Sequence, residues 1–267
     1  MKRRFPAEFF YQVFALIIAI IVVHAIYVTV VRPKAAAVAA EQALRLEQEE
    51  NYIPGRSVWV IIRDFEQESC FILMIWAFCI MGYKALRAFK ERALLQQEFV
   101  QVGEGVRILP EDTREYARNI QSLPERLRGM LLPRVMLSSL ERFGSTRNVQ
   151  DVSSVATSLC ESEGERMESE LSMIRYIAWA IPSVGFIGTV RGIGEALGQA
   201  HRAVDGDIAG VTQSLGTAFN STFIALLISI VVMFLVHQLQ LLQERFVFDA
   251  QTHIDHNLIR HMQVRGV

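Results

Sequence analysis

The sequence has few features of an extracellular, redox-active or nucleic-acid-binding protein. Its three cysteines in 267 residues cannot form a disulfide framework and are expected to be packed thiols. The net charge is −1, so the chain lacks the strongly basic face typical of nucleic-acid-binding proteins. Low-complexity tracts are absent apart from the short "AAAVAAEQA", and there is no internal repeat. We therefore expect no nucleic acid among its partners.

Hydrophobic runs, in contrast, are abundant. The chain is 51% hydrophobic, and its mean hydropathy is positive, at +0.26. A helix needs about 20 apolar residues to cross the roughly 30 Å hydrocarbon core of a bilayer. Four segments are candidates: 9–31, 69–83, 174–198 and 211–236. The second has only fifteen residues and would also suit a buried core helix. The pattern predicts an all-α integral membrane protein with four transmembrane helices.

Lys and Arg near the span ends predict the orientation, because such residues are enriched on the cytoplasmic side. The stretch "MKRR" precedes the first span, and residues 84–92 after the second span contain four cationic side chains. Both groups are expected in the cytoplasm. Since two more spans follow, both termini are predicted to be cytoplasmic.

The chain is thereby divided into six parts. They are the cytoplasmic N-terminus with the first span (1–32), a periplasmic segment (33–68), the second span (69–89), a helical cytoplasmic domain (90–172), a hairpin of the last two spans (173–238) and a cytoplasmic C-terminal tail (239–267).

Helical periodicity dominates the cytoplasmic domain. Pro110, Pro124 and Pro133 predict helix starts or breaks. Asn148 or Asp151 is expected to cap one long helix that continues into the third span. The charged residues of 161–170 suit either a solvated face or a surface that docks a partner.

The stretch "IPSVGFIGTVRGIGEALG" (181–198) contains "GTVRGIG", which resembles the glycine loop of a short-chain dehydrogenase. Such a loop follows a β-strand, but the residues before it continue a helical pattern, and Pro182 does not suit a central strand. A Tyr-x-x-x-Lys pair would follow downstream, yet no tyrosine occurs after Tyr176. The dehydrogenase interpretation is therefore rejected. We expect no enzyme, no catalytic residue, no cofactor and no metal.

In a membrane helix the same glycines have a different use. Gly188 and Gly192 are four residues apart, and Gly185 lies one turn earlier. Small residues at this spacing allow two helix backbones to approach closely. We expect these glycines to pack against a neighbouring span.

Hydroxyl and amide side chains interrupt the last two spans. They are Thr189 in the third span and Thr217, Asn220, Ser221 and Thr222 in the fourth. At 1.5 Å per residue, Thr189 and Thr222 each lie about 20 Å from the cytoplasmic end of their span. They are thus expected at one depth. Such side chains could support a water chain for protons or simply bond to backbone carbonyls.

Arg191 and Glu195 also fall within the third span, one turn apart. They could form an ion pair near the outer end of the helix, since unpaired charge in lipid is costly. Alternatively, one of them shapes the outer mouth of the pathway or contacts a partner.

The stretch "AWAIPSVGFIGTVRGIGEAL" resembles the signature "P-x-x-G-L-L-G-T-V-x-G" of the MotA/TolQ/ExbB proton channel family. "LGTAFNSTFIALLISI" is similar to the partner helix of that signature. One departure is Thr217, which occupies the position of a glutamate in ExbB-like members. The resemblance covers about residues 171–240, and the upstream layout agrees as architecture.

The resemblance implies a ring of this chain in the bacterial inner membrane, a homopentamer in the family. The ring would surround the span of an ExbD-, TolR- or MotB-like protein whose transmembrane aspartate titrates. Thr189 and Thr222 would line the proton path, and Pro182 would kink the third span. H⁺ is the expected ion, and the hydroxyls are also compatible with Na⁺. Membrane lipid is the remaining partner.

The resemblance leaves the machine open. Four spans are similar to MotA and to the anti-phage protein ZorA, whereas the signature is closer to ExbB and ZorA. The short segment after the fourth span disfavours ZorA, which carries a long helical tail. Flagellar torque, antiviral defence and ExbB/TolQ-type energy transduction, including protein transport, are the alternatives. A non-conducting membrane scaffold of the same fold is the second class of function.

Overall fold

The structure is a computed structural model and describes residues 7–48, 55, 57–97, 99–100, 103, 106–204 and 206–264. The cationic residues 2–4 used above for orientation lie outside this part, as do residues 49–54 of the segment predicted to be periplasmic. All regular elements among the described residues are helices. The expectation of an all-helical fold is therefore confirmed.

Eleven α-helices, numbered in chain order, lie in the described part of the chain. They are α1 (Ala7–Ile26), α2 (Arg32–Gln48), α3 (Val58–Ile61), α4 (Phe65–Ala93), α5 (Thr113–Gln121), α6 (Glu125–Arg128), α7 (Leu131–Thr146), α8 (Val149–Glu170), α9 (Ser172–Gly198), α10 (Ala200–Val204) and α11 (Ala209–Asn257). A π-helical turn (Tyr27–Val31) joins α1 to α2.

Four helical stretches are long and apolar enough to cross a membrane: Glu8–Arg45, Phe65–Gln96, Val149–Gly198 and Ala209–His261. The prediction of a multi-pass membrane protein with four spans is confirmed to this extent. The second stretch is longer than the fifteen apolar residues seen in the sequence. Its helix α4 also includes an acidic turn before them and a basic turn at its end. Both ends favour a helix through its dipole.

The chain forms two compact units. The first unit comprises Met1–Gly82 and Met173–Val236, and the second comprises Tyr83–Ser172 and His237–Val267. The first unit contains the apolar parts of all four spans. Its outer faces expose large apolar side chains, among them Phe14, Ile21, Phe186 and Ile230. Such exposure is unfavourable in water but suits a surface covered by lipid.

Residues 33–48, which the sequence assigned to the periplasmic segment beyond the first span, are helical. Their alanine-rich composition has high helix propensity. The π-helical turn lies just before Pro33, which has no N–H to donate to the carbonyl one turn earlier. The first span and α2 are therefore one continuous helical rod from 7 to 48.

The core of the second unit is built from α7, α8 and the C-terminal part of α11. Phe143 and Leu140 pack with Phe246 and Ile254, and all four are fully buried. The sequence assigned residues 90–172 and 239–267 to separate parts, but the structure joins them in one core. Apolar residues four apart along α11, from Phe246 to Ile254, supply the face that packs, and Leu258 directly after the helix continues it.

Proline and cap signals place the helix boundaries in the second unit. α6 begins directly after Pro124, and Pro133 lies in the first turn of α7. The Asn148 side chain accepts hydrogen bonds from the backbone N–H groups of Gln150 and Asp151, at 2.9 and 3.4 Å, so Asn148 is the cap of α8. The predicted single long helix is interrupted at Leu171, between α8 and α9.

The charged stretch of α8 combines exposed and buried acids. Glu161 and Glu165 are exposed, whereas the Glu163 carboxylate is buried and accepts from Arg166 and, at 2.8 Å, from Arg134. The neighbouring Glu170 accepts from the buried Lys84 at 3.0 Å. Part of this stretch is thus a solvated face, and part is an ion-pair network that holds α8 within its unit.

Leu140→Ala should lower the stability of the protein by roughly 2–5 kcal/mol, because it leaves a cavity in a fully buried site. Thermal unfolding of the detergent-solubilised chain would show a lower Tm. Leu86→Ala is the matched control, since this leucine of the same unit is exposed. Equal Tm values for the two variants would contradict the assigned core.

Candidate functional site

The hydroxyls of Thr189 on α9 and Thr222 on α11 are hydrogen-bonded to each other. The rise per residue along each span predicted that the two threonines lie at the same depth, and their contact agrees with that prediction. The Thr189 Oγ1 atom also lies 3.1 Å from the carbonyl oxygen of Ala218, and the Thr222 hydroxyl donates to the Gly185 carbonyl at 3.2 Å. The pair is therefore linked both across the helix interface and to the backbone.

Three glycines make this contact geometrically possible. A Cβ atom added to Gly188 would lie 2.6 Å from the Ser221 Cβ, and one added to Gly192 would lie 2.8 Å from the Ala218 Cβ. One added to Gly185 would overlap Ala225. Real Cβ atoms do not approach so closely, so α9 and α11 can pack at this distance only without side chains at these positions.

Other glycines of the motif have no such role. A Cβ added to Gly194 or Gly198 would meet no heavy atom of another described element within 4 Å. Three of the regularly spaced glycines therefore face α11, and two face open space in the monomer.

Pro182 lies inside α9, which runs without interruption from Ser172 to Gly198. Because proline has no N–H, the Ala178 carbonyl loses its usual donor within the helix. The Ser229 hydroxyl of α11 donates to this carbonyl at 3.0 Å. A side chain of the neighbouring span thus replaces the backbone bond that Pro182 removes.

Ser221 is buried beside the threonine pair, and its hydroxyl donates to the Thr217 carbonyl at 3.0 Å. It also accepts from the Gln67 amide of α4 at 3.2 Å. Thr217 therefore participates through its backbone. Asn220 lies elsewhere on the helix, lining a cavity of about 600 Å³ together with Ser57 and apolar side chains. Residues two apart on a helix point about 200° from each other, so Asn220 faces away from Thr222 and is not brought to the pair.

Three consecutive residues in the first turn of α4 each bond to a different helix. Glu66 binds Arg191 of α9, and Gln67 binds Ser221 of α11. Glu68 lies 2.7 Å from the His24 ring of α1 and accepts from Arg32. From the sequence, these residues were predicted to lie in the periplasmic segment, and their contacts were not foreseen. Their signal was the acidic "DFEQES" directly before an apolar run, a pattern that favours a helix N-terminus.

Arg191 makes two ion pairs. Its Nη1 atom lies 2.8 Å from the Glu195 carboxylate, the expected pair one turn apart. Its Nε and Nη2 atoms bind both oxygens of Glu66, at 2.7 and 2.9 Å. The sequence indicated the first pair only. The second is a bidentate arrangement, the stronger geometry for arginine and carboxylate.

Just before α4, Asp64 adds a further acidic group. Burial raises its pKa above the usual range, and the opposing attraction of Arg63 and Arg191 does not fully offset that effect. No group of three or more His, Cys, Asp or Glu side chains in the described part of the chain is arranged to hold a metal ion.

Gly192→Ala should destabilise the pairing of α9 with α11 by roughly 1–3 kcal/mol, because the new methyl group meets Ala218 and the Ser214 carbonyl. Gly194→Ala is the control: it has free space and should leave stability unchanged or raise it by up to about 1 kcal/mol. Thermal unfolding in detergent measures both. A Gly192→Ala protein as stable as the control would refute the packing.

Glu66→Gln should lower stability by roughly 1–3 kcal/mol, because it removes the charge of a largely buried carboxylate that binds Arg191 in a bidentate pair. Glu195→Gln removes the more exposed partner of the same arginine and should cost less than about 0.5 kcal/mol. Tm values of the two variants test the difference. The reverse order would show that Glu195 is the principal partner of Arg191.

Residues 130–252 match the sequence profile of the MotA/TolQ/ExbB proton channel family. No curated protein and no solved structure matches the chain significantly. The matched segment contains all of α9 and includes the threonine pair, the three interface glycines and Ser221. The protein therefore carries a MotA/TolQ/ExbB proton channel family domain, which includes α9 and most of α11, the two helices that form the candidate site.

Proposed function

We propose that this chain is the ion-conducting subunit of a membrane motor that couples proton flow to mechanical work. The observation that carries the proposal is the pair of hydroxyls, Thr189 and Thr222, at the interface of α9 and α11 in a proton channel family domain. A hydroxyl both donates and accepts a hydrogen bond, so it can hold a water chain in either direction. It does not itself titrate near neutral pH.

A pathway lined by hydroxyls requires a titrating group from elsewhere. We therefore assign that role to a transmembrane aspartate on a single-span ExbD-, TolR- or MotB-like partner. The aspartate would take up and release the ion while the threonines position it. H⁺ is the ion we propose, and Na⁺ is the competing ion, since hydroxyl and carbonyl oxygens also suit a hard cation.

The proposed assembly is a ring of copies of this chain, a pentamer as the family resemblance implies, around the partner span. Support comes from the exposed apolar faces of the first unit, which offer surface both to lipid and to neighbouring copies. In this proposal the ring lies in the bacterial inner membrane with both termini in the cytoplasm. It is no enzyme and needs no cofactor, because its reaction is ion transfer between two compartments.

The chain resembles MotA and ZorA in its number of spans. We propose that the part of the partner outside the membrane decides what the motor drives: flagellar rotation, antiviral defence or ExbB/TolQ-type energy transduction. The pair of Arg191 and Glu195 lies in the last turns of α9, where it would shape one mouth of the pathway.

A non-conducting scaffold is the second candidate. It is favoured by the bonding of the pair, because the Thr222 hydroxyl already donates to the Gly185 carbonyl and the Thr189 hydroxyl donates to Thr222. In a scaffold these bonds would serve helix association alone.

Proton flux into liposomes separates the two candidates. For the chain purified with its partner, Thr189→Val combined with Thr222→Val should reduce the flux at least about tenfold, equivalent to about 1.4 kcal/mol in barrier height. Thr212→Val is the matched control, because its hydroxyl bonds to the Ile208 carbonyl one turn earlier and the residue lies on an exposed part of α11. Unchanged flux in the double variant would remove the threonines from the pathway. No flux in the unaltered protein would favour the scaffold.

A further inference from the structure

Gln67 is a fully buried amide at the junction of α4 and α11. Its Nε2 group has two hydrogens, and both are used: one is donated to the Ile61 carbonyl at 3.1 Å and one to the Ser221 hydroxyl at 3.2 Å. The Ile61 carbonyl can only accept, so this bond fixes which end of the amide is nitrogen. The orientation of the side chain is therefore determined.

The Oε1 atom of the same amide is buried and has no hydrogen-bond donor among the described residues. A buried carbonyl oxygen without a donor is unfavourable, and in folded proteins such an atom is usually satisfied by an internal water molecule. The bonds to Ser221 and Ile61 use only the amide nitrogen. The Oε1 atom has no part in them, so its burial points to a hydrogen-bond donor bound beside it.

The backbone around Gln67 is held in place. Glu66 and Glu68 flank Gln67 and are each ion-paired to another helix, so the backbone at Gln67 is fixed on both sides. The Ser221 hydroxyl donates once and accepts once, and one lone pair of its oxygen remains. Gln67 Oε1 and Ser221 Oγ are thus two acceptor oxygens that each retain a lone pair not used by the bonds above.

We propose that Gln67 Oε1 and Ser221 Oγ form a binding site for a water molecule and that Gln67 is a further residue of the ion pathway. Ser221 immediately precedes Thr222, so the site adjoins the threonine pair along α11. Water bound there would extend the line of polar groups from the pair to the first turn of α4. That the water belongs to the ion pathway rests on the proposed function; that it is bound does not.

Water access can be measured without ion flux. Gln67→Cys is introduced into a chain whose three native cysteines are replaced by alanine, and the reaction of its single thiol with a small methanethiosulfonate reagent is timed in membranes. Only a hydrated thiol ionises and reacts, so it should react at least about tenfold faster than the control. The control retains Cys70 as its single cysteine, one turn further along α4, buried and directed to the Ile181 carbonyl.

Proton flux then tests whether Gln67 takes part in the ion pathway. Gln67→Leu should lower the flux of the chain with its partner at least about tenfold, equivalent to about 1.4 kcal/mol in barrier height. Gln67→Glu retains acceptor oxygens at this place and should retain more flux than Gln67→Leu. Gln12→Leu makes the same chemical change in α1, where the amide donates to Glu8, and should leave the flux unchanged.

The thiol rates decide whether the water site exists, and the flux decides whether Gln67 belongs to the ion pathway. If the thiol of the Gln67→Cys variant is as unreactive as that of Cys70, the water site is overturned, whatever the flux. A reactive thiol with wild-type flux in Gln67→Leu would leave the water but remove Gln67 from the pathway. If Gln67→Leu does not fold, the thiol rates and Gln67→Glu carry the test. Absence of flux in the unaltered protein would refute the proposed function instead, with the thiol rates still deciding the water site.

Discussion

The close approach of α9 and α11 is the constraint on which the candidate site depends. At Gly185, Gly188 and Gly192 the partner helix occupies the space that any side chain would need. Only at this distance can two short threonine side chains reach each other across the interface. In lipid such packing is favourable because backbone contact replaces contact with acyl chains, without help from the hydrophobic effect. The glycines therefore determine the chemistry of the site although they contribute no functional group.

The first turn of α4 is the second determinant of the arrangement. Glu66, Gln67 and Glu68 are adjacent in sequence, yet successive residues of a helix point about 100° apart. Each side chain therefore reaches a different neighbouring helix, and one turn of α4 is bonded to α9, α11 and the rod of α1 and α2. The paired charges of this turn keep their partners in place, whereas the neutral amide between them reaches the polar residues beside the threonine pair.

Much of the fold could be predicted from the sequence. Apolar runs indicated four spans, the cap signal of Asn148 located the start of α8, and the depth of Thr189 agreed with that of Thr222. These features are local, or follow from helical rise along a single span. Prediction failed where contacts join distant parts of the chain. Residues 239–267 were expected to be a tail, but their apolar face completes the core of the second unit.

The sequence by itself determined the class of protein, the number of spans and the common depth of Thr189 and Thr222. These features depend on composition, periodicity and motif spacing. The tertiary structure alone decided which side chains meet. It separated Gly192, where an added Cβ would meet α11, from Gly194, where an added Cβ would meet no other side chain or helix among the described residues. It also gave Arg191 a second partner 125 residues away in Glu66. Spacing along one helix specifies a face of that helix, but the residue opposite that face is chosen by how the helices pack.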